Sequence, residues 1–464
     1  MTMLVNHPFS EIRAGDSATL HRTLTRHDID MFAIMSGEVL AADINAAWAA
    51  SDRFLQIVAH GMWGGTLIST VLDTQLPGPG TILLHQALDF LVPVLVGDKV
   101  AVTVKVEAMD PVHESVRLTC SVLNQRNELV IAGTAVVIAP HDKITRARVS
   151  LPLHEPREAG SGYRKLIAMT AGMQPLRTAV VHPVDAPSLA GAIEAASLGL
   201  IVPVLVGPAQ KIHAAASRAS VDLAGIEIID VEHSAAAAAM AALMAGDGRV
   251  EAIMKGALHT DELMHAVLAP GARLRTGRRM SHVFAIDTPA YPRALFITDA
   301  VLNLTPDLAA KRDIVQNAID LVHALGIVQP RLAVLCAVET VSPAMPSTID
   351  AASLCKMADR GQITGAVLDG PLAFDNAVSV QAALIKGIIS PVAGHADILL
   401  VPDVEAGNML AKQLEYLGGA QMAGIVLGAR VPIILTSRSD PTLARLGSCA
   451  IALLLARHLP AALS

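Results

Sequence analysis

The sequence predicts two architectures in one chain: an α+β domain whose antiparallel sheet wraps one helix, then an α/β region built on a mostly parallel sheet. Three observations predict it. Within residues 1–142, two helix-like stretches come before a series of long strand-like runs, the order of an α+β domain. Over residues 175–464, short apolar strands alternate with helices, which implies parallel strands covered on both faces. Between them, residues 143–174 change in composition: DKITRARVSLPLHEPREAGSGYRK is charged, proline-bearing and contains Gly-Ser-Gly, and reads as a linker leading into a helix.

In the first region HDIDMFAIMSG reads as one helix and the glycine-flanked HGMWGGTLISTVLDTQL as another. LLHQALDFLVPV, DKVAVTVKVEAM, ESVRLTCSVLNQ and ELVIAGTAVVIAP are strands separated by Gly-Asp, Asp-Pro and Asn-rich turns. Gly61, Gly64 and Gly65 permit close approach, either of a ligand's arm or of another helix. His60, just before them, is read as a cap or a packed group. SGEVLAADINAAWA, AHGMWGG and LVPVLVGDKV resemble the MaoC-like hydratase branch of the hotdog fold, which implies that Gly61 to Leu76 is the central helix. That branch hydrates an enoyl-CoA double bond with the Asp and His of an Asp-x-Asn-Pro-x-His motif. Aligned through Ser36-Gly37 and Trp48-Ala49, the motif positions here hold Glu38, Leu40, Ala41 and Asp43. Hydration needs one group to activate water and another to donate a proton. Two carboxylates divide those roles only where their environments separate their pKa values. The expectation is therefore a degenerate hydratase motif in a domain kept for acyl-CoA binding or assembly, with enoyl-CoA hydration as the alternative.

The second region opens with the strand TAVVHPV, the helix SLAGAIEAASLG, the strand LIVPVLVG and a helix from about Ala209. VEAIM is followed by Lys255-Gly256 and by His259-Thr260 ahead of the helical ELMHAVL, and Leu332 to Val338 ends at Glu339. GAVLDGPLAFDN breaks at Gly370-Pro371 and leaves Asp375 and Asn376 beyond the break. ADILLVPDVEAGN repeats the plan, with Ile398 to Val401 as the strand and Glu405, Gly407 and Asn408 after it. Val431 to Leu435 ends at Thr436, Ser437, Arg438 and Asp440. If the strands run parallel, all these ends point polar residues to one edge, where open α/β sheets bind ligands.

MKGALHT, RRMSHVFAID, ITDAVLNLTPDLAAK, LAVLCAVE, DGPLAFDNAVS, VPDVEAGNMLAKQL and LTSRSD, in this order, resemble the phosphate acetyltransferase and butyryltransferase family over roughly the last two thirds of the chain. The resemblance implies two α/β subdomains with a cleft between them. It also implies reversible acyl transfer, with coenzyme A and phosphate as substrates, acyl-CoA and acyl phosphate as partners, and no permanently bound cofactor. In that family the Ser-Arg pair lies in the transfer site. Arg438 would then hold phosphate, and Ser437 would donate to the oxyanion as the carbonyl becomes tetrahedral, unless it only caps the next helix. Lys255-Gly256 supplies a cation and a close-approach glycine; Arg275, Arg278 and Arg279, followed by Ser281-His282, add fork-shaped donors for phosphate oxygens.

His259, Thr260, Asn317, Glu339, Asp375, Asn376, Gly407 and Asn408 belong to the matched motifs and are expected on loops lining the cleft, though such residues also cap helices or fasten turns. The acetyltransferase branch carries an acidic residue seven positions after the serine, proposed to take the thiol proton; that position here is Ala444, and Asp440 is the nearest replacement. This form resembles the butyryltransferase branch and inclines the reading slightly towards acyl groups longer than acetyl. Direct transfer in a ternary complex is expected, since no Cys-His or Ser-His-Asp constellation demands an acyl-enzyme.

Composition narrows the remaining classes. A net charge of -7 offers no basic excess for nucleic acid. The mean hydropathy of +0.49 raises a membrane protein, yet no apolar run approaches the roughly 18 to 20 residues a span requires. AAAAAMAALMAG is short, and no charged-then-apolar leader stands at the start, so a cytoplasmic protein is expected. Cys120, Cys336, Cys355 and Cys449 lack metal-ligand spacing and read as buried free thiols. Both resembled families form oligomers, which suggests a homo-oligomer by analogy. A reading from another class, a non-catalytic acyl-CoA-binding protein, predicts binding without phosphate-dependent turnover.

Overall fold

The computed structural model describes residues 3–36, 61–147, 160–436 and 440–458, and the chain divides into compact units at 1–155 and 156–464. Glu38, Asp43, Ser437 and Arg438 lie outside the described residues.

In the first unit the elements run β1 (Met3–Val5), β2 (Ser17–Thr23), α1 (Arg26–Ser36), α2 (Met62–Thr74), β3 (Ile82–Phe90), β4 (Lys99–Asp110), β5 (Ser115–Leu123), β6 (Leu129–Ile138) and β7 (Thr145–Ala147). Five strands form an antiparallel sheet in the order β2-β4-β5-β6-β3, while β1 pairs with β7. Strand alternation sends Val100, Val102, Val104 and Val106 of β4 to one face, where they meet Ile68, Val71 and Leu72 of α2. The close approach that Gly64 permits is used by the sheet: a Cβ there would lie 2.2 Å from Ile131 Cδ1 of β6. This is the hotdog arrangement, with α2 as the wrapped helix. The exposed edge strand β2, which carries little apolar signal, had not been read from the sequence.

The second unit contains α3 (Ser161–Met169), β8 (Leu176–Val181), α4 (Ala186–Ser197), β9 (Ile201–Gly207), α5 (Ala209–Ala219), β10 (Glu227–Asp230), α6 (Ser234–Gly246), β11 (Ala252–Lys255) and α7 (Thr260–Leu268). Next come β12 (Ser281–Asp287), β13 (Leu295–Thr298), α8 (Leu308–Ala324), β14 (Arg331–Leu335), α9 (Pro346–Asp359), β15 (Val367–Leu372), α10 (Phe374–Val378) and α11 (Val380–Ile385). The chain closes with β16 (Ile398–Leu400), α12 (Val404–Tyr416), β17 (Gln421–Leu427), β18 (Ile433–Ile434) and α13 (Thr442–His458). Helix α3 falls in the stretch read as linker. It packs into this unit through Tyr163, whose hydroxyl lies 2.7 Å from the Ala285 carbonyl and 2.8 Å from that of Gln421.

One sheet of eleven strands, ordered β10-β9-β8-β11-β18-β17-β12-β13-β16-β14-β15, forms the centre. Its central strands are mainly apolar because both faces are covered: Met254 faces one core and Ile253 the opposite one, and Leu400 and Leu399 divide in the same way. The expectation of a single polar edge is corrected here. β10, β9, β8, β11 and β18 run parallel, as do β13, β16, β14 and β15, but the antiparallel partners β17 and β12 between them reverse the sense. The ends of β11 and β18 therefore emerge at one edge, and those of β14, β15 and β16 at the other. Two opposed parallel blocks thus share one continuous sheet. No helix among the described residues is long and apolar enough to cross a membrane.

Candidate active site

At the first edge, β11 and β18 are laced together. Lys255 is 8% exposed, and its Nζ donates to the Thr436 carbonyl at 3.3 Å, while Thr436 Oγ1 donates to the Lys255 carbonyl at 3.3 Å. Gly256 lets β8 close against this end: a Cβ there would lie 2.4 Å from the Val181 carbonyl oxygen. His182, in the left-handed region at φ 53, brings its Nδ1 within 3.0 Å of the Ala257 carbonyl. His259 is exposed and precedes α7, which Thr260 opens. On the other side of Ser437 and Arg438, the backbone carbonyl of Asp440 accepts from Arg445 Nε at 3.2 Å. Ala444, in the first turn of α13, is buried.

A cleft of about 630 Å³ lies along α7. Thr260, Asp261, Met264 and Leu268 line it from one helical face, and the opposite wall comes from Arg275, Thr276, Arg278, Arg279, Met280 and residues 301–303. Thus Thr260, Arg275, Arg278 and Arg279 are brought together as expected. Arg278 is already ion-paired with Asp320. Arg279 is held by its stem: Nε donates to Asn303 Oδ1 at 2.7 Å, and its backbone N–H donates to Asp313 at 3.0 Å. No acceptor among the described residues takes the Nη groups of Arg279 or the side chain of Arg275, so two guanidiniums remain available to an anion.

Behind Arg279 lies a buried relay. Asn303, 4% exposed, donates from Nδ2 to the Met280 carbonyl at 2.9 Å and to Asp299 Oδ2 at 2.5 Å. Asp299 Oδ1 in turn accepts the N–H groups of Val301 at 2.9 Å and Leu302 at 3.0 Å. Burial raises the Asp299 pKa, against the pull of these donors. Asn317 secures the same wall from another side, donating to the Arg279 carbonyl at 2.9 Å and to Ser281 Oγ at 3.0 Å.

Several expected residues lie elsewhere. Ser281 and His282 are buried in β12, where His282 meets the Phe284 ring edge-on with centroids 4.3 Å apart. Burial pushes the His282 pKa down to about 3, so this imidazole carries no charge to offer a phosphate. At the ends of β14 and β15, Lys386 Nζ lies 2.6 Å from Glu339 and 3.0 Å from Asp375, and Asn376 donates to Glu339. The hydrogen bonds from Lys386 and Asn376 hold Glu339 below its ordinary range. Gly407 and Asn408 seat α12 on the loop after β13: a Cβ on Gly407 would lie 3.0 Å from Ala300 Cα, and Asn408 Nδ2 donates to the Ala300 carbonyl at 3.4 Å.

Sequence reasoning missed Asp299, Asn303, Met264 and Lys386. The first two were legible in part, because ITDAVLNL places an aspartate and an asparagine four residues apart just after an apolar strand.

Comparison with known proteins agrees with this architecture. Residues 232–453 match the sequence family described as Phosphate acetyl/butaryl transferase, and residues 11–126 match that described as MaoC like domain. The phosphate acetyltransferase of Rhizobium meliloti is 61% identical over 302 residues, 65% of this chain and 96% of that protein. The phosphate butyryltransferase of Clostridium acetobutylicum is 40% identical over 294 residues, 63% of this chain and 98% of that protein. A solved branched-chain phosphotransacylase from Enterococcus faecalis V583 superposes with a TM-score of 0.54 at 28% identity, covering 61% of this chain and all of that one. By its ordered motifs, its paired α/β blocks and these likenesses, the chain belongs to the phosphate acetyltransferase and butyryltransferase family, and it carries a MaoC-like domain ahead of the transferase region.

Proposed function

We propose that the chain catalyses reversible acyl transfer from coenzyme A to inorganic phosphate, giving acyl phosphate and free coenzyme A. The observation that carries this reading is the cleft along α7, where Arg275 and Arg279 present guanidiniums not committed to any acceptor among the described residues. In the forward direction a phosphate oxygen attacks the thioester carbonyl, and the carbon–sulfur bond breaks as the tetrahedral intermediate collapses. The proton given up by phosphate goes to the departing thiolate. Arg279 and Arg275 neutralise the phosphate, Arg438 holds the phosphoryl group, and Ser437 donates to the oxyanion. Asp440 is assigned the proton transfer, in place of the acid absent at Ala444. Lys255 and Gly256 keep the strand ends that carry this loop in register.

Acetyl-CoA is assigned as the preferred donor. The inclination towards longer chains rested on the form of the motif at Asp440 and Ala444, and the 61% identity to a protein named phosphate acetyltransferase outweighs it against 40% for a named butyryltransferase. The test is release of coenzyme A thiol from acetyl-, propionyl- and butyryl-CoA with and without phosphate. Release that requires phosphate, is fastest with acetyl-CoA and falls strongly in Arg438→Ala and Ser437→Ala is expected; acyl-CoA binding without such release would replace the enzyme with a binding module.

The match of residues 11–126 to a MaoC like domain favours a second reading in which the chain also hydrates enoyl-CoA. With Glu38 and Asp43 at the motif positions, we assign the domain to acyl-CoA binding, and hydration of crotonyl-CoA would overturn that assignment. We also propose a cytoplasmic homo-oligomer without nucleic-acid or membrane partners. The exposed apolar side chains Leu384, Ile385 and Ile389 support assembly with a second copy, which light scattering would test.

A further inference from the structure

A second cavity, of about 470 Å³, lies at the edge of the sheet opposite Lys255 and Thr436. Its size falls within the roughly 300 to 1,000 Å³ of small-molecule sites. The C-terminal ends of α6 and α13, the body of α8 and the loop joining β17 to β18 enclose it. One side is apolar, formed by Val250, Val431, Pro432 and Leu455. The polar side holds Arg278, Arg430 and Arg457 with Glu251 and Asp320. The two carboxylates are consumed: Asp320 pairs with Arg278, and Glu251 pairs with Arg457 at 2.6 Å. Arg457 is further bound to the carbonyls of Gln174 and Pro175. Arg430 is left as the lining cation with no side-chain partner among the described residues, beside an apolar wall.

We infer that this cavity is a regulatory site for a small monocarboxylate with a hydrophobic body, whose carboxylate pairs with Arg430 and whose binding alters phosphate affinity in the cleft. The coupling follows from a shared wall and rests on the assignment of the cleft to phosphate; the site itself does not. Thr276 and Arg278 line both cavities. Thr276 Oγ1 donates to the Gly428 carbonyl at 2.7 Å and accepts the Arg278 N–H at 3.2 Å, and Asn317, which also lines the second cavity, holds the Arg279 carbonyl. A ligand that shifts Thr276 or Asn317 therefore moves the strip bearing Arg275 and Arg279. By linkage, phosphate in the cleft changes the affinity for the carboxylate by the same factor.

Calorimetric titration of the full chain with hexanoate, and with phosphate in its presence and absence, tests this independently of turnover. One hexanoate per chain is expected, with the dissociation constant for phosphate altered in wild type. Arg430→Ala, which removes the charge, and Ala456→Phe, which fills the cavity, should each weaken hexanoate binding by about tenfold or more, the worth of one charge-assisted bond. Both should bind phosphate as wild type does and lose its response to hexanoate. Hexan-1-ol should bind no better to wild type than to Arg430→Ala. Absent hexanoate heat, or hexanoate binding equal in wild type and both variants, would overturn the site, the latter placing the molecule elsewhere. Hexanoate binding that leaves phosphate affinity unchanged would overturn the coupling. Failure of the transferase reading would show separately, as phosphate-independent or absent coenzyme A release.

Discussion

Asn303→Ala tests the relay behind Arg279 most directly. The change removes three hydrogen bonds: to Arg279 Nε at 2.7 Å, to the Met280 carbonyl at 2.9 Å and to Asp299 Oδ2 at 2.5 Å. The neutral bond to Met280 contributes about 1 kcal/mol, and the bond to the buried Asp299 about 1.5 to 3 kcal/mol. The bond to the exposed Arg279 adds little to stability because solvent screens it. A loss of about 3 kcal/mol is expected in the urea transition of the transferase unit. That is a large part of the roughly 5 to 15 kcal/mol a domain holds. Function should respond differently, because Arg279 keeps its charge and loses only its fixed position. The KM for phosphate should rise by about tenfold, equivalent to about 1.4 kcal/mol, with kcat changed much less. A variant with wild-type stability and wild-type phosphate KM would refute the relay. Were kcat to fall with KM unchanged, Arg279 would act on the transition state and not through ground-state phosphate binding.

Gly256→Ala should destabilise the chain by about 1 to 3 kcal/mol in thermal denaturation, because its Cβ meets the backbone oxygens of Val181 at 2.4 Å and His182 at 3.0 Å, neither of which can rotate aside. Turnover should fall with it as the ends of β8 and β11 are pushed apart. Asp299 and His282 give opposite pH signatures. Raised by burial, Asp299 favours the folded state fully below pH 3.8, and this contribution is lost as pH rises through its folded pKa. Across pH 4 to 7 the stability of Asn-substituted Asp299→Asn should therefore rise relative to wild type; a constant difference would count against the raised pKa. His282, with its pKa lowered to about 3 from 6.5, contributes stability present above pH 6.5 and lost as pH falls, by about 1.4 kcal/mol per unit. His282→Met should flatten that acid slope between pH 6 and 4, and an unchanged slope would mean the imidazole is already protonated in the fold.

Local signals in the chain determined a good deal. Alternation in β4 and the glycine-flanked helix α2 identified the wrapped-helix domain, because side chains at period two must face one core; that the sheet is what approaches Gly64 was decided by the packing. Continuous apolar strands such as β9 and β16 identified a sheet covered on both faces, since neighbouring residues there feed opposite cores. Ordered motifs also brought Thr260, Arg275, Arg278 and Arg279 into one expectation, and the cleft contains all four.

Strand direction was decided only by tertiary pairing. An apolar run reads the same whichever way it enters a sheet, so nothing local marked the reversal at β12 and β17 that sends Lys255 and Glu339 to opposite edges. Electrostatic role was likewise decided by partners distant in sequence. Arg278 and Arg279 are adjacent and chemically identical, yet Asp320 occupies one while Asn303 holds the other only by its stem. His282, polar and beside them in the motif, is buried in a strand by the same folding step. Charge available to a ligand is what remains after the fold has paired its own groups, and that remainder exists only in three dimensions.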